Sequence, residues 1–388
     1  MFPNLRFPEF KGEWEKCTLN EVSYFIKERI NTDELTIANY ISTENMKSDL
    51  GGVDTATAIP ECANVIRYKN GDILLSNIRP YLKKVWAANT DGGCSADVFV
   101  FRANKISSSF LYYVMANDSF INYVMSGAKG VKMPRGDKEQ ILKYSFSIPT
   151  TKEQNKISRM LSLLDERIST QNKIIEKYKS LIQATCDTLI ESEQQKVELS
   201  FSDLGEAYSG LSGKSADDFG TGYPYITYLN VYQNRIIDIT NVALVSINET
   251  EQQSIVQYGD TLFTLSSETP DEVGMGAVYL DKTYPLYLNS FCFGIHVTDN
   301  SKIYSPFLAY YVSSKSFRKA VFPLAQGSTR FNLQKNDFMK KVFSFPMIEQ
   351  QSKIYSILKA YSDKLSVENS MVKLLCEQKN YLLRRLFI

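Results

Sequence analysis

Two long stretches of the chain place apolar residues at alternating steps of four and three. Residues 157, 161, 164, 168, 171, 175, 178, 182, 185 and 189 hold Ile, Leu, Leu, Ile, Gln, Ile, Tyr, Ile, Thr and Leu. A mean step of 3.5 residues is the seam of a coiled coil, and Ile157, Leu161, Leu164, Ile168 and Ile175 form its apolar part. The second stretch lies 197 residues further on and keeps the same register: Ile354, Leu358, Tyr361, Leu365, Glu368, Val372, Leu375, Lys379, Leu382 and Leu386. Two such seams in one chain pair most simply with each other. The alternative is that each helix packs on its own globular part. Each seam carries a polar residue in its middle layer, Gln171 and Glu368, of the kind that fixes register at some cost in stability.

The offset of 197 extends beyond the helices. Residues 146–168 read FSIPTTKEQNKISRMLSLLDERI and residues 343–365 read FSFPMIEQQSKIYSILKAYSDKL. Pro149 aligns with Pro346, Gln154 with Gln351, and Phe110-Leu111 with Phe307-Leu308. Further upstream the offset drifts, as loop insertions require: Gly71-Asp72-Ile73-Leu74 matches Gly259-Asp260-Thr261-Leu262, and Tyr40-Ile41-Ser42 matches Tyr225-Ile226-Thr227. The chain is therefore one unit repeated twice, each copy a globular domain followed by a helix. The expected boundaries are 1–150, 151–195, 196–346 and 347–388. Within the globular parts, short apolar runs predict strands at 72–75, 98–101 and 261–264, and helical spacing covers 110–125 and 307–321. The fold class is α+β.

Composition narrows the chemistry. Hydrophobic residues make up 44% and charged residues 22% of 388 residues, the balance of a globular protein. No apolar run is long enough to span a bilayer. The opening residues lack a charged segment followed by an apolar one, so a cytoplasmic protein without a membrane is expected. Six scattered cysteines without a C-x-x-C pair predict reduced thiols and no metal site. The single histidine, His296, lies in a strand-like run and is expected to be structural, which removes most imidazole-based acid–base chemistry.

Several motifs are incomplete. Gly210-Leu211-Ser212-Gly213-Lys214-Ser215 imitates a phosphate loop but has Tyr208 where the first glycine belongs. No G-x-G-x-x-G opens a helix, and the Pro270-Asp271 pair is not followed by an acid-x-Lys. No catalytic residues and no cofactor are expected on this chain.

The residues do suggest a family. Leu5-Arg6-Phe7-Pro8-Glu9-Phe10-Lys11-Gly12-Glu13-Trp14, the Gly71–Ser76 strand with Arg79-Pro80-Tyr81 behind it, and the Pro-x-x-x-x-Gln helix starts at 149–154 and 346–351 occur in order. With the Ala325–Arg330 turn, they give a chain that resembles the specificity (S) subunit of Type I restriction–modification systems. The resemblance implies two target-recognition domains, each reading one half of a bipartite asymmetric site in double-stranded DNA. It implies a long antiparallel two-helix coiled coil between them, with a pseudo-two-fold internal repeat. It further implies that the helices bind two methyltransferase subunits, and through these the restriction subunits. S-adenosylmethionine, ATP and Mg would belong to those partners. A different class of reading is a non-enzymatic coiled-coil adaptor that binds protein partners.

Charge sharpens the DNA reading. Basic against acidic residues number 18 to 17 in residues 1–150, 7 to 7 in 151–195, 12 to 15 in 196–346, and 7 to 4 in 347–388. DNA affinity rests largely on phosphate neutralisation, so basic groups must cluster locally. The candidates are Arg79, Lys83 and Lys84 in one loop and Lys129, Lys132 and Arg135 in another. In the second domain they are Ser328, Thr329, Arg330 and Asn332. Arginine can bridge guanine O6 and N7, asparagine adenine N6 and N7. Hydroxyls and turn N–H groups hold phosphates. Tyr225, Tyr228 and Tyr232 with Asn230, Gln233 and Asn234 form a weaker second candidate patch.

Overall fold

Both seams form single long helices, Thr151–Ser192 and Ile348–Leu386, in the computed structural model, which describes residues 3–387. The molecule divides into two compact units: residues 1–172 with 370–388, and residues 173–369. Each long helix therefore contributes one half to each unit. Among the described residues no helix is long and apolar enough to cross a membrane.

In the first unit the strands Glu15–Thr18 and Ser145–Ile148 pair antiparallel and tie the two ends of the domain together. A four-stranded sheet follows, in the order Ser23–Phe25, Val98–Ala103, Ile73–Ser76, Val85–Ala87. A second sheet, Arg29–Asn31, Asn64–Tyr68, Gly92–Cys94, Tyr40–Ile41, ends in a parallel pair. The second unit repeats the plan. Lys196–Ser200 pairs with Val342–Pro346, and the central sheet runs Gly205–Ser209, Cys292–Val297, Thr261–Thr264, Gly276–Val278. The central strands Ile73–Ser76 and Thr261–Thr264 are buried at every position, which is why they hold only apolar residues, serine and threonine and show no apolar–charged alternation.

The Gly-Asp pairs found by the repeat open these central strands. Gly71 and Gly259 take φ of 88° and 89°, a conformation that favours glycine. The following carboxylates accept the backbone N–H three residues upstream, at 2.7 Å from Lys69 and 2.8 Å from Gln257. The segments 110–125 and 307–321 each split into two helices, Ser108–Ala116 with Asp118–Ser126, and Ser305–Tyr311 with Lys315–Val321. Asn117 and Ser314 interrupt them because each side chain caps the second helix.

The glutamine of each helix start anchors the helix to its domain. Gln154 accepts the N–H of Ser107 and donates to the Pro149 carbonyl, while Gln351 accepts the N–H of Tyr304 and donates to Pro346 and Lys302. Inside each unit the two helical halves run antiparallel. Ile157 and Leu161 share a core with Leu383 and Leu386 in the first. Ile182, Cys186 and Ile190 share one with Ile354 and Leu358 in the second. These cores also contain the domain's own side chains, so the two readings of the helices are both realised. The seam residues Leu164, Ile168, Tyr361, Leu365 and Val372 are half-buried and Ile175 is buried. Toward the C-terminal ends the buried line moves on by one position. Cys186 and Ile190 are buried where the seam predicts Thr185 and Leu189, and Leu383 where it predicts Leu382. A straight helix has 3.6 residues per turn, so a strict 3.5 stripe drifts around it. In the first unit the chain's last turn returns to its beginning: Arg385 accepts the N–H of Leu5 at 3.0 Å, and Phe387 lies against Phe110.

Candidate nucleic-acid interface

The two basic loops of the first domain, far apart in sequence, form one structure. Lys129 and Arg135 exchange both backbone hydrogen bonds at 2.9 Å and close a small hairpin. Its returning strand bridges Ile78, and Arg79 donates its N–H to Pro134 at 2.9 Å. In the second domain the equivalent hairpin pairs Ala325 with Leu333 and Gln326 with Asn332, and its returning strand pairs Ser266 with Asn332 and Ser267 with Phe331. Arg135 and Asn332 therefore occupy the same place in the two repeats. Glycine opens both tips, Gly130 at φ 94° and Gly327 at φ 138°. A Cβ on Gly327 would lie 2.1 Å from the Arg330 carbonyl oxygen.

The side chains differ in how free they are. Arg79, Lys129, Lys132, Arg135, Ser328, Thr329, Arg330 and Asn332 are all exposed. Arg135 pairs with Asp97 at 3.0 Å and Lys129 with Asp137 at 2.8 Å. Lys83 hydrogen-bonds Asp118, which holds that carboxyl below its usual range, and Lys84 donates to the Thr43 carbonyl at 2.7 Å. Lys83 and Lys84 are thus half-buried and committed to the protein. Arg79 and Lys132 have no side-chain partner among the described residues. Arg79 sits at φ 50°, an uncommon conformation for a residue with a Cβ, fixed by the Pro134 contact.

In the second domain a cleft of about 330 Å³ opens beside the hairpin. Tyr228 and Tyr232 stack within it, ring centres 5.9 Å apart and planes 16° from parallel. Their hydroxyls donate to the Ser266 carbonyl and to Glu272, both at 2.7 Å. Glu272 also accepts from Thr269 and Ser267, and the Tyr232 hydrogen bond leads in lowering its pKa. Arg330, Glu268, Leu229 and Phe291 complete the lining. The sequence pattern offers Asn230 and Asn234 to this patch. Asn230 is fully buried instead and donates to the carbonyls of Asp238 and Asn241, while Asn234 donates back to Asn230. The acidic and apolar members of the cleft come from separate segments, and no local pattern joins them.

His296 and Lys214 are each paired with an internal carboxylate. His296 hydrogen-bonds the buried Asp260 at 2.9 Å and stacks on Tyr208, while burial pushes the Asp260 carboxyl up. Lys214, of the phosphate-loop look-alike, has only 4% of its side chain exposed and pairs with Glu251 at 2.5 Å.

A family model described as the Type I restriction modification DNA specificity domain matches residues 11–179 and again 194–373. The EcoDI Type I restriction enzyme specificity subunit of Escherichia coli is 24% identical over 166 residues, 42% of this chain. That match spans 37% of the relative's length. Among solved structures, an S subunit of a Type I system from M. genitalium is 16% identical with a TM-score of 0.58, covering 100% of this chain and 99% of that one. A chain from a structure on complex assembly and conformational transition of the type I R-M system is 17% identical, also with a TM-score of 0.58, covering 95% of this chain and 96% of that one. These likenesses concern the fold.

Proposed function

Since the chain belongs to the Type I restriction–modification DNA specificity family in both of its repeats, we propose that it is the DNA-reading subunit of such a complex, each domain recognising one half of a bipartite site. The observation that carries this reading is the shared hairpin patch. In each domain a loop behind the central sheet and a hairpin before the long helix are hydrogen-bonded together, and they present unpaired cationic or amide side chains on a fixed backbone. Arg79 and Lys132 serve this role in the first domain, Arg330 and Asn332 in the second. Arg135 and Lys129 begin from internal ion pairs and reach DNA by exchanging a carboxylate for a phosphate or base edge. The family match favours DNA reading over the protein-adaptor alternative.

Catalysis, S-adenosylmethionine and ATP with Mg are assigned to partner subunits. The long helices keep apolar side chains exposed for docking two methyltransferase subunits, which in turn carry the restriction subunits. Ile357 and Val367 serve in the second unit, Met371, Leu374 and Tyr381 in the first. The test is site selection on the chain assembled with its methyltransferase subunits. Two short specified blocks with an unspecified spacer are expected, while the purified chain alone transfers no label from S-adenosylmethionine to DNA. A continuous site, or methyl transfer by the isolated chain, overturns the reading.

A further inference from the structure

The cleft of the second domain holds two opposite charges that do not meet. Arg330 and Glu268 both line it, yet among the described residues neither has a hydrogen bond or an ion pair. The nearby Glu272 is already supplied with three donors, from Tyr232, Thr269 and Ser267. The rest of the wall is fixed, because both tyrosine hydroxyls are committed and the rings are stacked. At the rim Leu229 and Phe291 are 56% and 57% exposed, so part of the surface is apolar. In the first domain the sheet register places Asp97 where Phe291 stands and Arg135 where Asn332 stands, and there the two charges pair with each other at 3.0 Å. The first domain satisfies its acid internally; the second leaves one open.

A ligand for this cleft must offer acceptors to a guanidinium and a donor to a carboxylate at once. Phosphate has acceptors only and is repelled by Glu268 and Glu272. Among base-pair edges in the major groove, A·T presents the adenine N6 amine next to N7, so an arginine fork finds one acceptor and one clash. G·C presents O6 and N7 side by side on guanine and the N4 amine on cytosine. Resting on the DNA-reading role of this domain, we propose that the cleft reads one G·C pair in a fixed orientation, Arg330 bridging guanine O6 and N7 and Glu268 accepting from cytosine N4. The apolar rim of Leu229 and Phe291 then faces the neighbouring base.

The experiment is selection from a randomised DNA library by the complex with its methyltransferase subunits, comparing wild type with Arg330→Ala, Arg330→Lys and Glu268→Ala. Wild type selects G·C in one orientation at one position of the block read by the second domain. Arg330→Ala and Glu268→Ala each relax that same position by about ten- to a hundredfold and leave the other block unchanged. Arg330→Lys keeps the charge but loses the fork, so it relaxes the position while overall affinity is largely retained. All three changes lie on exposed loop positions, and matching melting curves confirm folding. Uniform weakening across all sequences with a reduced salt slope in Arg330→Ala makes Arg330 a phosphate clamp and overturns the proposal. So does uniform tightening in Glu268→Ala, or relaxation of two different positions by the two alanine variants. If instead wild type selects no block that depends on residues 196–346, the DNA-reading role itself fails, whatever the variants do.

Discussion

The buried carboxylate behind the central strand is Asp72 in the first unit and Asp260 in the second, at the same place in the same turn. Asp72 is held by both nitrogens of the Arg102 fork at 2.7 Å. Asp260 is held by His296 and the Tyr208 hydroxyl at 2.9 and 2.7 Å. The frame demands a satisfied acid there, because it accepts the turn's backbone N–H and is nearly inaccessible to water. It does not dictate which donor satisfies it. The single histidine of the chain is therefore one of two solutions to one structural problem.

The same contrast runs through the helix contacts. Tyr113 donates to Asp165 in the first unit, and Tyr310 donates to Ser362 in the second, both at 2.8 Å. Asp165 also pairs with Lys379 at 2.6 Å, whereas the positions equivalent to that pair are Ser362 and Ile182. At the junction of the paired short helices, Asp118 meets Arg384 in the first unit. In the second, the N–H of Lys315 is accepted by Asp187, so the acid has moved from the domain to the helix. Shared backbone contacts define the scaffold, while side-chain charge distinguishes the halves.

The largest effect is expected from the long helices, each of which contributes to both units. Inserting one heptad after Gln171 and another after Glu368 lengthens each helix by about 10 Å, or roughly three base pairs at ~3.4 Å each. Selection on the assembled complex should return the same two blocks with a longer spacer, or no binding. An unchanged spacer in a folded variant would show that helix length does not set the site. Next in size come the two anchoring glutamines. Gln154→Ala and Gln351→Ala each strand buried backbone groups, at about 2–4 kcal/mol by thermal or urea unfolding. Near-equal losses confirm that the anchor belongs to the scaffold. The charge layer should behave oppositely. Asp165→Ala leaves Lys379, with 11% of its side chain exposed, without its carboxylate, a loss of about 2–3 kcal/mol after allowance for the partly exposed acid. Ser362→Ala removes only a hydroxyl partner of Tyr310 and should cost less than about 1.5 kcal/mol. Equal losses from those two changes would erase the distinction.

Much of the frame was legible because it is local or periodic. The 3.5-residue step marked both helices, short apolar runs marked the central strands, and Gly-Asp and Pro-x-x-x-x-Gln marked matching places in the two repeats; the turn and the anchor that those residues build show only in their hydrogen bonds. The late drift of the buried line to Cys186, Ile190 and Leu383 was not legible, since it reflects the domain wall against which a straight helix packs. The candidate site was legible only in part. Arg79 and Arg135 stood out one loop at a time, but the bridge from Ile78 to Arg135 spans 57 residues of sequence and no periodicity announces it. The cleft is assembled from residues near 230, 268, 291 and 330. Its two acids, Glu268 and Glu272, share one segment, but Arg330 and the aromatic and apolar wall reach them only in space.

The smallest and most local effect is expected at Arg79. Its counterpart beside the second hairpin is Ser267, whose hydroxyl is spent on Glu272 at 3.2 Å, so only the first domain has a free guanidinium at this place. Arg79→Ala keeps the Cβ and with it the backbone cost at φ 50°, so the change isolates the guanidinium. If Arg79 bridges a guanine, discrimination at one position of the first half-site should fall by about 1–3 kcal/mol. The second half-site should be untouched, and affinity for unrelated DNA should hardly move. Lys132→Ala, at the exposed hairpin tip, should do the reverse: it should weaken all sequences alike and reduce the salt slope by about one. Binding measured across a salt series and a panel of single-base variants separates the two patterns. If Arg79→Ala gives the lysine pattern, the first domain reads its bases with other residues, and Arg79 serves to set the protein's register on the phosphates.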